Sequence, residues 1–175
     1  MTRQSIEKHT TEDSVSVTAE VPASPAEVLA LLRDPARQAE VDGSGMIRAA
    51  SDDAGSRGEA HGGPLSAEGQ LFVMEMLWTD GATRYRVENT VTALGPDRIE
   101  WEVADYGEEP QGWRWGWIVE PSGAGSRVTN YCDWSRTSSE VRAEKGFPIV
   151  DAEKVARTVE RLRDVFDRSG PGAAA

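Results

Sequence analysis

Five consecutive segments between residues 69 and 135 have the length and residue content of strands, and turn residues separate each segment from the next. In the middle three segments, apolar and polar side chains alternate. A period of two predicts β-strands with one buried face. Asp80-Gly81 and Gly95-Pro96-Asp97 carry the residue types that tight reversals need. Because strands joined by short turns run antiparallel, the pattern predicts an antiparallel meander. The five segments are Gly69–Trp78, Thr83–Leu94, Arg98–Val103, Gly112–Glu120 and Ser126–Ser135.

The chain before the meander predicts a strand, two short helices and another strand. Ser14–Val21 alternates in the same way as the later strands. Ser24-Pro25-Ala26-Glu27 matches a capping box with proline at the first helical position, and a second short helical piece follows at Pro35–Val41. Met46–Ala50 fits a short strand. The opening order is therefore strand, helix, helix, strand.

A long amphipathic helix closes the chain. Its apolar residues recur at helical spacing, as Val155, Val159, Leu162 and Phe166. An antiparallel sheet needs a cover on one face, and this helix carries the single apolar stripe that can provide it. We therefore predict an α+β fold in which a curved antiparallel sheet of six to seven strands wraps around the long C-terminal helix, with two short helices after the first strand.

The length of 175 residues fits one domain with a hydrophobic core, which we place at residues 13–168. Residues 1–12 and 169–175 lack periodicity and are predicted to be flexible tails. The formal net charge of −11 argues against nucleic-acid partners and against anionic membrane surfaces. No apolar run approaches the roughly 18 residues of a spanning helix, and the polar start does not resemble a signal peptide. We expect a cytoplasmic monomer or homodimer without membrane insertion.

Metal and cofactor chemistry has little support in the sequence. A single cysteine, Cys132, cannot form an internal disulfide, and one cysteine with two histidines cannot build the usual zinc sites. The chain contains no glycine-rich phosphate loop, no G-x-S-x-G elbow and no H-E-x-x-H helix. We therefore expect no metal and no cofactor, and we find no support for a hydrolase, a kinase or a nicotinamide enzyme.

Five of the six tryptophans fall at strand positions that can face one interior. Large aromatics on such a face either fill the core or form the wall of an apolar ligand pocket, and both interpretations remain open. A pocket of this kind would need a volume of at least roughly 300 Å³. The candidate ligand-binding residues on these strand faces are Phe72, Met74, Met76, Trp78, Val87, Trp101, Trp113, Trp115 and Trp117.

Candidate catalytic groups are polar residues near this interior. Asn89 and Tyr85 share the apolar phase of their strand, where an unpaired amide would cost about 1–3 kcal/mol. His61, in the glycine-rich loop that precedes the meander, could shuttle protons near neutral pH. On the last strand either face could point inward, and if Tyr131 and Asp133 do, they supply a phenol for ligand binding and a carboxylate for acid–base work.

Four segments together resemble the helix-grip fold of the START/pollen-allergen superfamily, also called SRPBCC, and within it the bacterial polyketide cyclase/dehydrase-like proteins. The resemblance covers roughly residues 13–168. The segments are Val21-Pro22-Ala23-Ser24-Pro25-Ala26-Glu27-Val28; Tyr85 and Asn89-Thr90-Val91 with Arg98-Ile99-Glu100-Trp101; Trp115 with Glu120-Pro121 and Arg127-Val128-Thr129; and Tyr131-Cys132-Asp133-Trp134-Ser135.

The resemblance implies a cavity between sheet and C-terminal helix that binds a small hydrophobic molecule, aromatic or polyketide-like. The oxygenase branch of the superfamily needs two histidines at an iron site, and we set it aside because His9 falls in the predicted tail and His61 in a loop. Three functions remain open: a cofactor-independent cyclase, aromatase or dehydratase; a non-catalytic lipid or isoprenoid carrier or receptor; and an interaction module like the chaperone ATPase activators.

Overall fold

The computed structural model describes residues 5–170, and these residues form eight β-strands and four α-helices. The strands are β1 (Glu7–Thr10), β2 (Ser14–Val21), β3 (Ile47–Ala50), β4 (Leu71–Leu77), β5 (Arg84–Gly95), β6 (Arg98–Asp105), β7 (Arg114–Ser122) and β8 (Gly125–Asp133). The helices are α1 (Pro25–Leu32), α2 (Gln38–Val41), α3 (Ser139–Lys145) and α4 (Ala152–Arg168), and a 3-10 turn at Pro35–Arg37 links α1 to α2.

All eight strands belong to one open antiparallel sheet, in the order β1-β2-β8-β7-β6-β5-β4-β3. The predicted meander is confirmed, because β4 to β8 pair in sequence order. The N-terminal strand β2 then pairs with the last strand, β8, along its whole length. The α+β class is confirmed.

The strand count and the placement of helices differ from the prediction. The sheet has eight strands because Glu7–Thr10, which we placed in a flexible tail, pairs with β2 as an edge strand. All four of its residues are exposed, so the sequence carries no alternation there. The helices α1 and α2 consequently follow the second strand. Of the predicted tails, residues 1–4 and 171–175 lie outside the described residues.

Helix α3 was also missing from the prediction. None of its residues is buried, so it has no apolar stripe that a periodicity search could find. Its ends do carry ordinary signals: the Ser138 side chain accepts a hydrogen bond from the Val141 N–H, and Gly146 ends the helix in the left-handed conformation.

The capping box that opens α1 is confirmed. The Ser24 N–H donates to Glu27 Oε2 at 2.9 Å, and the Glu27 N–H donates to Ser24 Oγ at 3.4 Å. These two bonds satisfy backbone donors that a helix start leaves unpaired. The Ser24 hydroxyl also donates to Glu27 Oε2 at 2.7 Å, and this bond, together with the one from the Ser24 N–H, holds the pKa of Glu27 below its ordinary value. Helix α1 then buries its apolar residues Val28, Leu29, Leu31 and Leu32.

Helix α4 packs against β1, β2 and β8 and against α2. Val155, Ala156, Val159 and Leu162 form its buried stripe. Gly43, in the turn after α2, touches this helix so closely that a side chain there would overlap Arg157, and its N–H donates to Thr158 Oγ1 at 2.9 Å. Among residues 5–170, no helix combines the length and the apolar character needed to cross a bilayer.

Candidate functional site

A cavity of about 130 Å³, partly open to solvent, lies between one face of the sheet and the helices α1, α2 and α4. Strands β3 to β8 all contribute to its wall, and Leu32, Gln38 and Val155 are among the helical residues that line it. We call this face of the sheet the inner face. Its volume falls short of the roughly 300 Å³ that we set as the minimum for a usual ligand pocket.

Five tryptophans line this cavity, as their strand phase predicted: Trp78, Trp101, Trp113, Trp115 and Trp117. Trp101 and Trp115 are direct partners across β6 and β7. Met74, Met76 and Val87 line the cavity as well. Phe72, which we predicted as a ligand contact, does not; it is buried opposite Asn89 in the register of β4 and β5 and packs edge-on against Trp101 with ring centroids 5.6 Å apart.

Asn89 lies in the middle of β5 and lines the cavity with only 3% of its surface exposed. Its Oδ1 is buried and has no hydrogen-bond partner among the described residues. Gln38 of α2, which the sequence analysis did not single out, also lines the cavity, and its Nε2 is likewise buried and unpaired. Such orphaned amides are uncommon in protein interiors, because each costs about 1–3 kcal/mol.

Tyr85 lies on the same face of β5 and packs edge-on against Trp78, with ring centroids 5.8 Å apart. Burial, followed by the negative charge of Asp105, raises the pKa of the Tyr85 phenol well above its ordinary value. The phenol therefore stays protonated at neutral pH and can donate a hydrogen bond to a bound molecule.

Lys145 and Asp105 form an ion pair at the cavity wall that sequence reasoning missed. Lys145 Nζ donates to Asp105 Oδ2 at 2.6 Å, and both residues line the cavity. The ammonium also lies 5.4 Å from the centroid of the Trp113 ring. Forty positions separate the two partners, and Lys145 ends the unpredicted helix α3, so only the capping residues of α3 could have pointed to it.

The structure decides which face of β8 lines the cavity. Asn130 and Cys132 line it, and Asn130 Nδ2 donates to the Gly116 carbonyl at 3.0 Å. Burial raises the pKa of the Cys132 thiol, which therefore stays protonated. Tyr131 and Asp133, which we carried as site residues on the condition that their face points inward, do not line the cavity and project from the opposite, outer face of the sheet.

The outer-face contacts of Tyr131 and Asp133 explain this placement. Tyr131 Oη donates to Glu100 Oε2 at 2.5 Å, and burial together with this bond raises its pKa. Burial also raises the pKa of Asp133, but hydrogen bonds from Ser135 and Arg114 outweigh it and hold the pKa below its ordinary value. The arginines of this face form the cross-strand charge pairs that we expected, such as Arg114 with Glu100 at 3.5 Å.

His61 does not reach the cavity either, so its predicted role there is not supported by its position. It lies in the loop before β4, where Nε2 donates to the Pro64 carbonyl at 3.0 Å and Nδ1 accepts from Gln70 Nε2 at 3.2 Å. Both ring nitrogens are therefore used to fold the loop.

Comparison with known proteins gives relatives but no family. No protein-family model matches the chain. The uncharacterized protein Rv0088 of Mycobacterium tuberculosis is 30% identical over 164 residues, which cover 88% of this chain and 64% of Rv0088. The chain thus spans less than two thirds of the length of this relative.

Solved structures share the fold at low sequence identity. Protein Ms6760 from Mycobacterium smegmatis superposes with a TM-score of 0.64 and 16% identity, over 95% of this chain and 98% of Ms6760. DynU16, a protein in the dynemicin biosynthetic locus, superposes with a TM-score of 0.56 and 19% identity, over 92% of this chain and 49% of DynU16.

Proposed function

We propose that the protein is a helix-grip protein of the SRPBCC type that binds a small aromatic molecule in the cavity between sheet and helices. The observation that carries this proposal is the combination of five tryptophans and an unpaired Asn89 oxygen around one cavity. Ligand sites are mostly apolar with a few polar groups, and this wall has that composition.

The unpaired amides favour a ligand over a packed core. A core selected for stability alone would hold a leucine at position 89, because an apolar residue of similar shape removes the cost of the orphaned oxygen. A bound molecule with a hydroxyl or amide donor would satisfy it instead. The proposal therefore treats Asn89 as a recognition residue.

The cavity volume limits the ligand. An engineered cavity of about 150 Å³ in another protein binds benzene, so the smaller volume here, about 130 Å³, encloses at most about one aromatic ring. A polycyclic ligand would require the wall to move or would extend through the open side. Met74 and Met76 line the wall, and their flexible, unbranched side chains are suited to such adjustment.

The finer function that we propose is cofactor-independent cyclisation, aromatisation or dehydration of a polyketide-like substrate. The similarity in fold to DynU16, a protein in a biosynthetic locus, supports this direction. The cavity would hold a flexible chain so that its reacting carbons meet, and a phenol and an ion pair at the wall would assist proton transfer. Tyr85, Lys145 and Asp105 are the groups that could do so.

A thermal-shift screen tests the binding proposal, because a ligand that binds only the native state raises the melting temperature. The screen compares single-ring and two-ring aromatics with fatty acids and isoprenoids, on the wild type and on Val87→Phe, which fills the cavity. Arg84→Phe, at an exposed position of the same strand, is the matched control. We expect aromatics to stabilise the wild type and Arg84→Phe but not Val87→Phe. Stabilisation by isoprenoids or fatty acids alone would favour the carrier function and overturn the proposal.

A further inference from the structure

One part of the cavity wall brings together an ammonium, a carboxylate and a phenol. The Lys145 ammonium and the Asp105 carboxylate are joined at 2.6 Å, and both line the cavity. Asp105 pairs with Val87 in the register of β5 and β6, and Tyr85 lies two residues from Val87 on the same face. Tyr85 and Asp105 are thus diagonal neighbours on the inner face. We call Tyr85, Asp105 and Lys145 the polar end of the cavity.

The hydrogen-bonding capacity of the polar end is only partly used. An ammonium has three N–H donors, and Asp105 is the partner for one of them. A carboxylate accepts several hydrogen bonds, and within residues 5–170 Lys145 is the one donor bonded to Asp105 through its side chain. The Tyr85 hydroxyl has no hydrogen-bond partner in the same range. One ligand oxygen could therefore accept from Tyr85 or Lys145, and a ligand hydroxyl could donate to Asp105.

The charge of the wall disfavours an anionic ligand. Its ionised residues are two carboxylates, Asp42 and Asp105, and one ammonium, Lys145. The Asp42 carboxylate is bonded to the Ser44 N–H and Oγ and to the Ile47 N–H, at 2.6 to 3.0 Å. The chain as a whole carries −11. A carboxylate ligand would lose its hydration without meeting any excess of positive charge.

We propose that the polar end selects neutral aromatic ketones and phenols, with a ligand oxygen bound by Tyr85, a second donor available from Lys145, and a ligand hydroxyl bound by Asp105. This inference rests on the proposed binding function and narrows its ligand class. It excludes aromatic carboxylates and fatty acids as preferred ligands, and it makes Tyr85 a specificity-determining residue.

The test uses three single-ring probes that match the cavity volume: acetophenone, ethylbenzene and benzoate. Titrations followed by the tryptophan indole signals in ¹H–¹⁵N NMR spectra give the affinities at pH 7. A hydrogen bond worth about 1 kcal/mol corresponds to a fivefold change in affinity. We expect Tyr85→Phe to lower the affinity for acetophenone about fivefold and to change the affinity for ethylbenzene by less than about twofold. Tyr106→Phe is the control, since its hydroxyl donates to the Ala54 carbonyl on the outer face.

Benzoate tests the charge argument. We expect the wild type to bind benzoate at least about tenfold more weakly than acetophenone, and we expect Asp105→Asn to reduce this difference in affinity. The inference fails if Tyr85→Phe weakens ethylbenzene as much as acetophenone, or if wild-type protein binds benzoate as tightly as acetophenone. If neither acetophenone nor ethylbenzene binds, the proposed function fails, and the inference fails with it. The same spectra show whether each variant is folded.

Discussion

On the outer face of the sheet the buried carboxylates are surrounded by partners, whereas on the inner face the buried amide of Asn89 has an unpaired oxygen. Glu88, fully buried under the loop before β4, accepts from Ser56 and from Arg57 Nε at 3.1 Å. Glu100 accepts from Tyr131 and from Thr92 Oγ1. Two neighbouring residues of one strand, Glu88 and Asn89, thus meet opposite surroundings.

This difference distinguishes buried polar groups that stabilise the fold from buried polar groups that remain available to bind a ligand. A buried polar group that is fully paired stabilises one packing arrangement, and its removal leaves an uncompensated partner. A buried group without a partner weakens the fold until something binds to it. Substitutions on the two faces should therefore change stability and binding in different combinations.

The largest effect should come from Glu88→Ala on the outer face. This change leaves the mostly buried Arg57 without its carboxylate, and breaking a buried pair from one side costs roughly 3 kcal/mol or more. We expect the free energy of unfolding, measured by urea denaturation, to fall by about that amount. Affinity for a cavity ligand should not change. Glu102→Ala, at a less buried position of the outer face, is the control and should cost under about 1 kcal/mol.

Gly116→Ala should cause the second largest loss of stability. Gly116 of β7 faces Tyr131 of β8, and a methyl group there would overlap the Tyr131 phenol. Displacing this ring also breaks its bond to Glu100, so we expect a loss of about 2 kcal/mol in the range of overpacking changes. In a Tyr131→Val background, which removes the ring, the same glycine change should cost much less. Equal costs in both backgrounds would show that the ring is not the obstacle.

Asn89→Leu on the inner face should stabilise the protein, whereas the two changes above destabilise it. Leucine keeps the approximate shape and removes the unpaired oxygen, so we expect the free energy of unfolding to rise by about 1 kcal/mol. Binding of a ligand with a donor group should weaken. Asn130→Leu is a matched control, because Asn130 also lines the cavity but donates to the Gly116 carbonyl, and its loss should destabilise the protein. If Asn89→Leu lowered the free energy of unfolding, the Asn89 oxygen would not be a cost to the fold, and the proposed difference between the two faces would be wrong.

The inner faces of β5, β6 and β7 could be predicted from the sequence because apolar and polar residues alternate along these strands. Short turns also keep consecutive strands in register, so the five tryptophans fell on one wall as expected. On β8 both faces mix polar and apolar residues. The close fit of Tyr131 over Gly116 across two strands explains its outward position, and no local pattern encodes that contact.

Other parts of the site depend on long-range contacts. Lys145 reaches the cavity because α3 folds back to Asp105, forty residues away, and α3 buries nothing that would mark it as a helix. The edge strand β1 is exposed along its whole length, so it has no alternation of apolar and polar residues that would mark it as a strand. The cavity volume depends on how the large side chains pack, and periodicity carries no information about that.

The smallest effect concerns Asp133 on the outer face, whose pKa in the folded protein lies below its ordinary value because Ser135 and Arg114 bind the carboxylate. A lowered carboxyl pKa contributes stability above the unfolded value of about 3.9, and this contribution is lost as the pH falls through the folded pKa. Asp133→Asn should therefore cost less than about 1 kcal/mol at pH 7, as is usual for a partly exposed pair, and the stabilities of the two proteins should begin to converge as the pH falls below about 4. Urea midpoints at several pH values measure this convergence, and ligand affinity at pH 7 should be unchanged. A difference that persists at low pH would mean that packing, and not the charge of Asp133, is what the outer face requires at this position.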